Sequence, residues 1–308
     1  YPIDFEEFLY ANGVGNLAIE AMRDSFNNAQ ALSDSMHNKM MDLFKKYLLV
    51  GGLPRAVEVF VENHNVVEFR SIQHEIHGLY GIDASKYEEE HDKKLKIRRI
   101  FDMIPSNLEN KKKRVVMKEI EDKSWKRAAD YSNEFDYLIS AGIALEVKAI
   151  SKPSYPLIEN SGKNLLKLYL NDVGLLSSIF YRNNIKAVME DIKSINLGSV
   201  YETVIAQELK AHGYNLYYYD NKKNGEVDYL IDDADNLSII PIEVKSGKDY
   251  TIHSALDKFI ANEEYSIKKA YVLSNEQKVY KENGITYIPI YYIMFFQNIS
   301  NVVGEFLD

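Results

Sequence analysis

The chain has no cysteine, a single tryptophan and seven prolines in 308 residues. The missing cysteines exclude disulfides and thiolate metal sites, which fits a reducing compartment and makes the cytoplasm the expected location. Apolar runs stop at about six residues, against the roughly 20 a membrane helix needs, so no membrane partner is expected. Nothing at the start has the layout of a secretory signal. The first residues, YPIDFEEFL, begin without Met and inside an apolar pattern, as expected of a piece of a longer protein. There is no Gly-x-x-x-x-Gly-Lys-Ser/Thr stretch, and Gly51-Gly52 cannot cradle a triphosphate in that way. No nucleophile elbow or Ser-His-Asp grouping stands out either.

What remains is an ordinary globular composition, 46% hydrophobic and 27% charged, in a chain long enough for two or three cores. The net charge of −9 argues against a surface coated for nucleic acid. It conceals a contrast: residues 92–127 hold thirteen Lys or Arg against six Asp or Glu. Such a segment is either a basic face for DNA or a solvated Lys/Glu helix face.

Apolar spacings of three and four predict helices over most of residues 1–140. Pro54, after Gly-Gly-Leu, sits where a first-turn proline belongs. In SWKRAADYSNEFDYLISAGI, residues 124–143, Tyr131, Phe135 and Leu138 form one stripe that breaks at Gly142. ALEVKAI then predicts a strand, followed by a polar loop and LLKLYLND. Helix, strand, loop and strand in that order outline a winged helix, with Trp125, Lys126 and Arg127 at the helix start where phosphates would lie. A plain helical spacer with a hairpin fits equally. From about residue 165 the pattern becomes strand, helix, then an amphipathic helix over 197–213. The strands NLYYYD, EVDYLID and SIIPIEVKSG follow, then a helix at ALDKFIANE and a strand at KKAYVLS. The expected fold is α/β: a helical segment over 1–90, a winged-helix-like middle over 91–160, and a mixed-sheet domain over 161–308.

Acids stand in the apolar strands of that last region. Glu243 and Lys245 are two apart and share a strand face, while Val244 points the other way. Asp228 lies on the neighbouring hairpin strand. Two carboxylates held close repel unless a cation lies between them, and oxygen donors suit Mg²⁺ or Mn²⁺. Lys245 can then orient or help deprotonate a water, or stabilise charge on a phosphate, and Glu202 on the preceding helix is placed to add another carboxylate. A surface salt bridge is the bland alternative. The near copy FDYLISAGIALEVKAI puts Asp136 on a helix, away from Glu146 and Lys148, and is read as coincidence. His74 and His77, three apart with Glu75 between, lack a third zinc ligand and read as surface helix. The tyrosine-rich strands read as core rather than a base-stacking platform. Asp172 reads as a cap for the helix after it.

GSVYETVIAQEL, the strand pair around EVDYLI and PIEVKS resemble the PD-(D/E)XK nuclease fold of restriction enzymes and junction resolvases. Nearly the whole chain is similar to the C-terminal region of a prokaryotic family of AAA-type ATPases that carry an uncharacterised nuclease-like domain. The similarity rests on YPIDFEEFLYANG, KKYLLVGGLPRAV, KLYLNDVGLL and the Glu-Val-Lys element, in that order. It implies metal ligation by Asp228, Glu243, the Val244 carbonyl and Glu202, with Lys245, Glu243 and Asp228 as the catalytic group and Mg or Mn as cofactor. It also implies that ATP binding belongs to an ATPase domain N-terminal to these residues, with DNA and that domain as partners. A non-catalytic DNA-binding, regulatory or protein-interaction module is the alternative.

Overall fold

The computed structural model describes residues 2–83, 86, 90–121, 126–160, 165–190, 192, 195–247 and 249–298. Helices fill the first part: α1 (Phe5–Ala11), α2 (Asn16–Asn27), α3 (Asp34–Val50), α4 (Pro54–Asn63), α5 (Val66–Asp83), α6 (His91–Glu109), α7 (Met117–Ile120) and α8 (Ser132–Ser140). Strand β1 (Ala144–Ile150) and β2 (Leu166–Leu170) lead to α9 (Val173–Tyr181), α10 (Lys186–Met189) and α11 (Gly198–Ala211). Then come β3 (Tyr217–Asn221), β4 (Gly225–Asp233), β5 (Ser238–Val244), α12 (Ser254–Ile260), β6 (Tyr271–Ser274), β7 (Tyr280–Glu282) and β8 (Ile285–Pro289). Among the described residues no helix is long and apolar enough to cross a membrane.

The α/β class expected from the sequence is what the chain adopts, with one mixed sheet of eight strands among the described residues, in the order β2-β1-β3-β4-β5-β6-β8-β7. β1 and β2 form the antiparallel pair expected of a wing, but β1 also pairs in parallel with β3 through Lys148–Tyr217 and Ile150–Tyr219. The hairpin therefore continues the C-terminal sheet, which runs across the boundary drawn at residue 160. The physical reason is burial: all five residues of β2 and five of the seven in β1 are buried, as strands covered on both faces must be.

Each face of the sheet has its own core. Tyr229, Ile231, Ile240 and Ile242 pack with Val204 and Ile205 of α11 and with the N-terminal helices. Leu230 and Ile239, one step out of phase, pack with Leu256 and Phe259 of α12. Period-two alternation thus divides β4 and β5 between two helical layers. Tyr217, Tyr218, Tyr219, Tyr287, Tyr291 and Tyr292 are all buried, as read from the sequence.

Two separated motifs close the N-terminal half. The Gly-Gly-Leu-Pro turn after α3 lies against the Asp172-Val-Gly-Leu-Leu start of α9. Asp172 caps α9 by accepting from Leu175 N–H at 3.0 Å, as expected, and also accepts from Gly52 N–H at 2.6 Å. Gly51 has φ +71°, and a Cβ there would run into the Asp172 carboxylate; one on Gly52 would run into the Ile3 carbonyl. Around this contact Gln73 Nε2 donates to the Leu49 and Val50 carbonyls at 2.9 and 2.8 Å. Arg70 Nη1 donates to the Leu49 carbonyl at 3.1 Å and to Ser177 Oγ at 3.0 Å. The last carbonyls of α3, orphaned by helix geometry, are thereby satisfied.

Candidate functional site

The register of β4 on β5 runs from Asp233 opposite Ser238 to Tyr229 opposite Ile242, which brings Asp228, the fourth residue of β4, beside Glu243, one residue before the end of β5. On its other side β4 carries a bulge: from Leu230 to Val227 it uses three steps where β3 uses two, from Tyr217 to Tyr219. Asp228 and Tyr229 occupy the irregular stretch. An extra residue breaks the strict alternation, which re-aims a side chain that would otherwise enter the α12 core. Asp228 Oδ2 accepts from Val244 N–H at 2.8 Å, so the bulged strand and the end of β5 are pinned together by the candidate residue itself.

Lys245 Nζ donates to Glu243 Oε1 at 2.8 Å, while Glu243 Oε2 is buried without a hydrogen-bond partner among the described residues. Glu243 is 8% exposed and Asp228 and Lys245 are half-buried, and the cluster meets solvent through the Lys245 side chain. Burial pushes the Asp228 carboxyl well above the usual carboxylate range, and Glu243 and Glu202 push it further, against Lys167 and Lys113. Burial likewise raises Glu243, against Lys245. For Lys245 burial works downward, but the Glu243, Asp228 and Glu202 charges outweigh it and keep the ammonium protonated.

Glu202 is engaged by other groups. Its Oε1 accepts from Lys113 Nζ at 2.6 Å and its Oε2 from Tyr169 OH at 2.9 Å, with Lys167 Nζ 4.0 Å from Oε2. Tyr229 OH donates to the Glu202 carbonyl at 2.7 Å. Burial would raise the Glu202 carboxyl, but Lys167 and Lys113 hold it below its ordinary value. Lys167, 1% exposed, also meets Glu226 Oε1 at 2.6 Å and lies 4.6 Å from the Tyr218 ring centre. Arg114 Nη2 bridges Asp220 at 2.7 Å and Glu226 at 3.2 Å. Three cations thus enter the acidic cluster from elements that are not part of the β4–β5 hairpin.

The chemistry of the donors decides what fits here. Asp228, Glu243 with its orphaned Oε2, and the Val244 carbonyl form a hard-oxygen set suited to Mg²⁺ or Mn²⁺. Glu202 has both oxygens taken, and among the described residues no group of three or more His, Asp or Glu is gathered to hold a metal ion. The donors that fit are two carboxylates and a carbonyl, leaving the remaining positions to water, as Mg²⁺ commonly keeps them.

Other sequence candidates fall outside this cluster. Glu146 and Lys148 pair with each other at 3.1 Å on β1, and Asp136 is exposed on α8. His77 stacks on Phe101 with ring centres 4.9 Å apart, fastening α5 to α6. Trp125 lies outside the described residues. Lys126 Nζ stands 4.0 Å from Asp130 and 6.0 Å from the Tyr131 ring centre, and Arg127 is exposed. The expected helix start takes the form of a single 3₁₀ turn, Ala128–Tyr131, before α8. In the basic segment, Lys96 pairs with Glu121, Arg98 with Asp102, Lys113 with Glu202 and Arg114 with Asp220, so part of the excess charge is spent inside the molecule.

Sequence reasoning missed Lys113, Arg114, Lys167, Tyr169 and Glu226. The signal available was Lys167: a lone lysine inside LLKLYL must find an anion if that strand is buried.

A search of curated proteins returned no match, and neither did a search of solved structures. Residues 41–186 match the model of a family described as a domain of unknown function, DUF8612. Residues 197–293, which contain Glu202, Asp228, Glu243 and Lys245, match a second family described as a domain of unknown function, DUF4143, a domain found in the C-terminal region of AAA-ATPase-associated proteins.

Proposed function

We propose that this chain is the nucleic-acid-facing C-terminal region of an AAA-type ATPase and carries a divalent-metal-dependent phosphodiesterase centre at Asp228, Glu243 and Lys245. The observation that supports it most is the pair of carboxylates on neighbouring strands β4 and β5, with Glu243 Oε2 buried and unpartnered among the described residues and a protonated lysine 2.8 Å from its other oxygen. Asp228, Glu243 and the Val244 carbonyl would hold Mg²⁺ or Mn²⁺, which supplies a Lewis acid for a phosphoryl oxygen and an acidified water. The protein's own groups do the rest. The Val244 amide fixes the Asp228 carboxylate, so its free oxygen is presented without rotameric search. Lys245 stays an ammonium beside three acids; it donates to the attacking water or to a phosphate oxygen and does not serve as the base. Arg127 and Lys126 before α8 would contact the DNA backbone, with ATP handled by an ATPase domain outside these residues.

The test is cleavage of branched and single-stranded DNA with Mn²⁺, expected for the wild type and lost in Glu243→Ala and Lys245→Ala at unchanged melting temperature. Cleavage that survives in both variants refutes the assignment. The second reading is a module that keeps this fold without the chemistry and serves DNA binding or protein contact. It is favoured by Lys113 and Lys167, which already neutralise Glu202. Under that reading the two variants change stability only, and Mn²⁺ titration calorimetry gives the same result for the wild type and for an Asp228→Ala, Glu243→Ala double variant.

A further inference from the structure

Lys113 is the least expected member of the cluster. It comes from the turn between α6 and α7, far in sequence from the strands that carry the acids, and its Nζ reaches Glu202 Oε1 at 2.6 Å. Its backbone has φ +50°, a left-handed conformation that a side-chain-bearing residue adopts at a cost. The turn is held from both sides. Lys113 N–H donates to the Asn110 carbonyl at 2.9 Å, and Val115 N–H donates to the Leu166 carbonyl on edge strand β2 at 3.2 Å. Upstream, Ser199 Oγ on α11 donates to the Leu108 carbonyl and to Glu109 Oε1, both at 2.9 Å. The adjacent Arg114 is anchored by Asp220 and Glu226. Residues 110–116 thus form a strap along the sheet edge, laid so that one ammonium covers one carboxylate of the candidate site.

A lysine ammonium and a divalent ion compete for the same oxygen, since each needs its full share of the carboxylate charge. We infer that Lys113 is a built-in cation that competes with a divalent metal for Glu202, and that the 110–116 strap thereby sets how tightly the site takes its metal. This rests on reading Asp228 and Glu243 as metal ligands. With Lys113 seated, the ion has two carboxylates; with the strap lifted, Glu202 becomes the third. A strap continuous with α6 connects metal occupancy to anything that moves that helix.

The test is Mn²⁺ titration calorimetry on the wild type, Lys113→Gln, Lys113→Met, the Lys113→Gln, Glu202→Gln double variant, and Lys112→Met as an exposed charge control. Lys113→Gln or Lys113→Met should bind Mn²⁺ about tenfold tighter or more, because a third carboxylate is released to the ion. The double variant should fall back to wild-type affinity, and Lys112→Met should not differ from the wild type. Wild-type binding with unchanged affinity in both Lys113 variants overturns the inference and leaves the metal reading standing. No binding in any protein overturns both. Binding only after Lys113 is replaced supports the inference and removes the wild type from the metal-dependent enzymes. Should both Lys113 variants fail to fold, hydrogen exchange on the wild type decides: saturating Mn²⁺ should speed exchange of the Val115 amide, and unchanged protection overturns the inference.

Discussion

Glu208 offers the sharpest quantitative test of the buried electrostatics. It sits on α11, two turns beyond Glu202, and fastens the N-terminal segment to the sheet layer. Its Oε1 accepts from Phe5 N–H and from Tyr47 OH, each at 3.0 Å, while Oε2 is buried without a partner among the described residues. Burial, reinforced by Asp4, pushes its carboxyl from 4.5 up to about 8. An acid whose folded value is raised keeps its proton in the native state after the unfolded chain has lost it. Stability is therefore undiminished below about pH 4.5, falls as pH rises toward 8, and levels off above that. At about 1.4 kcal/mol per pH unit, the span amounts to about 5 kcal/mol at most. Gln keeps both accepting contacts and carries no charge, so Glu208→Gln should match the wild type near pH 4.5 and exceed it increasingly up to pH 8–9. Asp172, raised by burial to about 6, adds a fall in the same direction. His212 does too: burial lowers it, but Asp4 and Glu208 outweigh this, so its contribution is present below 6.5 and is lost as pH passes its raised folded value. Asp172 keeps its surroundings in the variant and His212 keeps Asp4, so the difference between the two proteins reports chiefly Glu208. Urea denaturation from pH 4.5 to 9 reads it directly. Parallel stability curves, or a variant weaker than the wild type at pH 9, would refute the reasoning.

Three further outcomes are expected. Asp228→Asn should raise the metal-free melting temperature at pH 8, since it removes a charge crowded by burial and by Glu243 and Glu202, and should abolish any Mn²⁺-induced rise; differential scanning fluorimetry with and without Mn²⁺ checks both. Lys167→Met should destabilise by about 1–3 kcal/mol in denaturant titration, because Glu226 Oε1 loses its buried cation while Arg114 and Lys113 still hold Glu226 and Glu202; stability equal to that of the wild type would refute this. Gly52→Ala should cost about 2–4 kcal/mol and loosen the N-terminus, since a Cβ there meets the Ile3 carbonyl and disturbs the 2.8 Å bond from Ile3 N–H to the Gly52 carbonyl; limited proteolysis before α1 is the readout.

The sequence by itself determined most of the secondary structure and the hairpin that carries the acids. Helix and strand periods differ, caps and turns have fixed chemistry, and Glu243-x-Lys245 can only project together from a strand. The helix-strand-strand-strand-helix-strand order from residue 198 to 274 is therefore legible in the residues. Asp172 as a cap is legible too, being a local matter of three residues. What could not be read is where distant segments meet. The hairpin at 144–170 has the pattern of a wing, and only the parallel pairing of β1 with β3 makes it part of the larger sheet. The Gly-Gly-Leu-Pro and Asp-x-Gly-Leu-Leu motifs look unrelated until Asp172 reaches Gly52, 120 residues back. The site is the clearest case. The sequence puts Glu243 and Lys245 on one strand face, Asp228 on the neighbouring strand and Glu202 on the helix before them, but it gives no sign that Lys113 and Lys167 reach Glu202. Periodicity decides which face of its own element a residue occupies. Which cation stands opposite a buried carboxylate depends on long-range packing, and only the tertiary structure decides that.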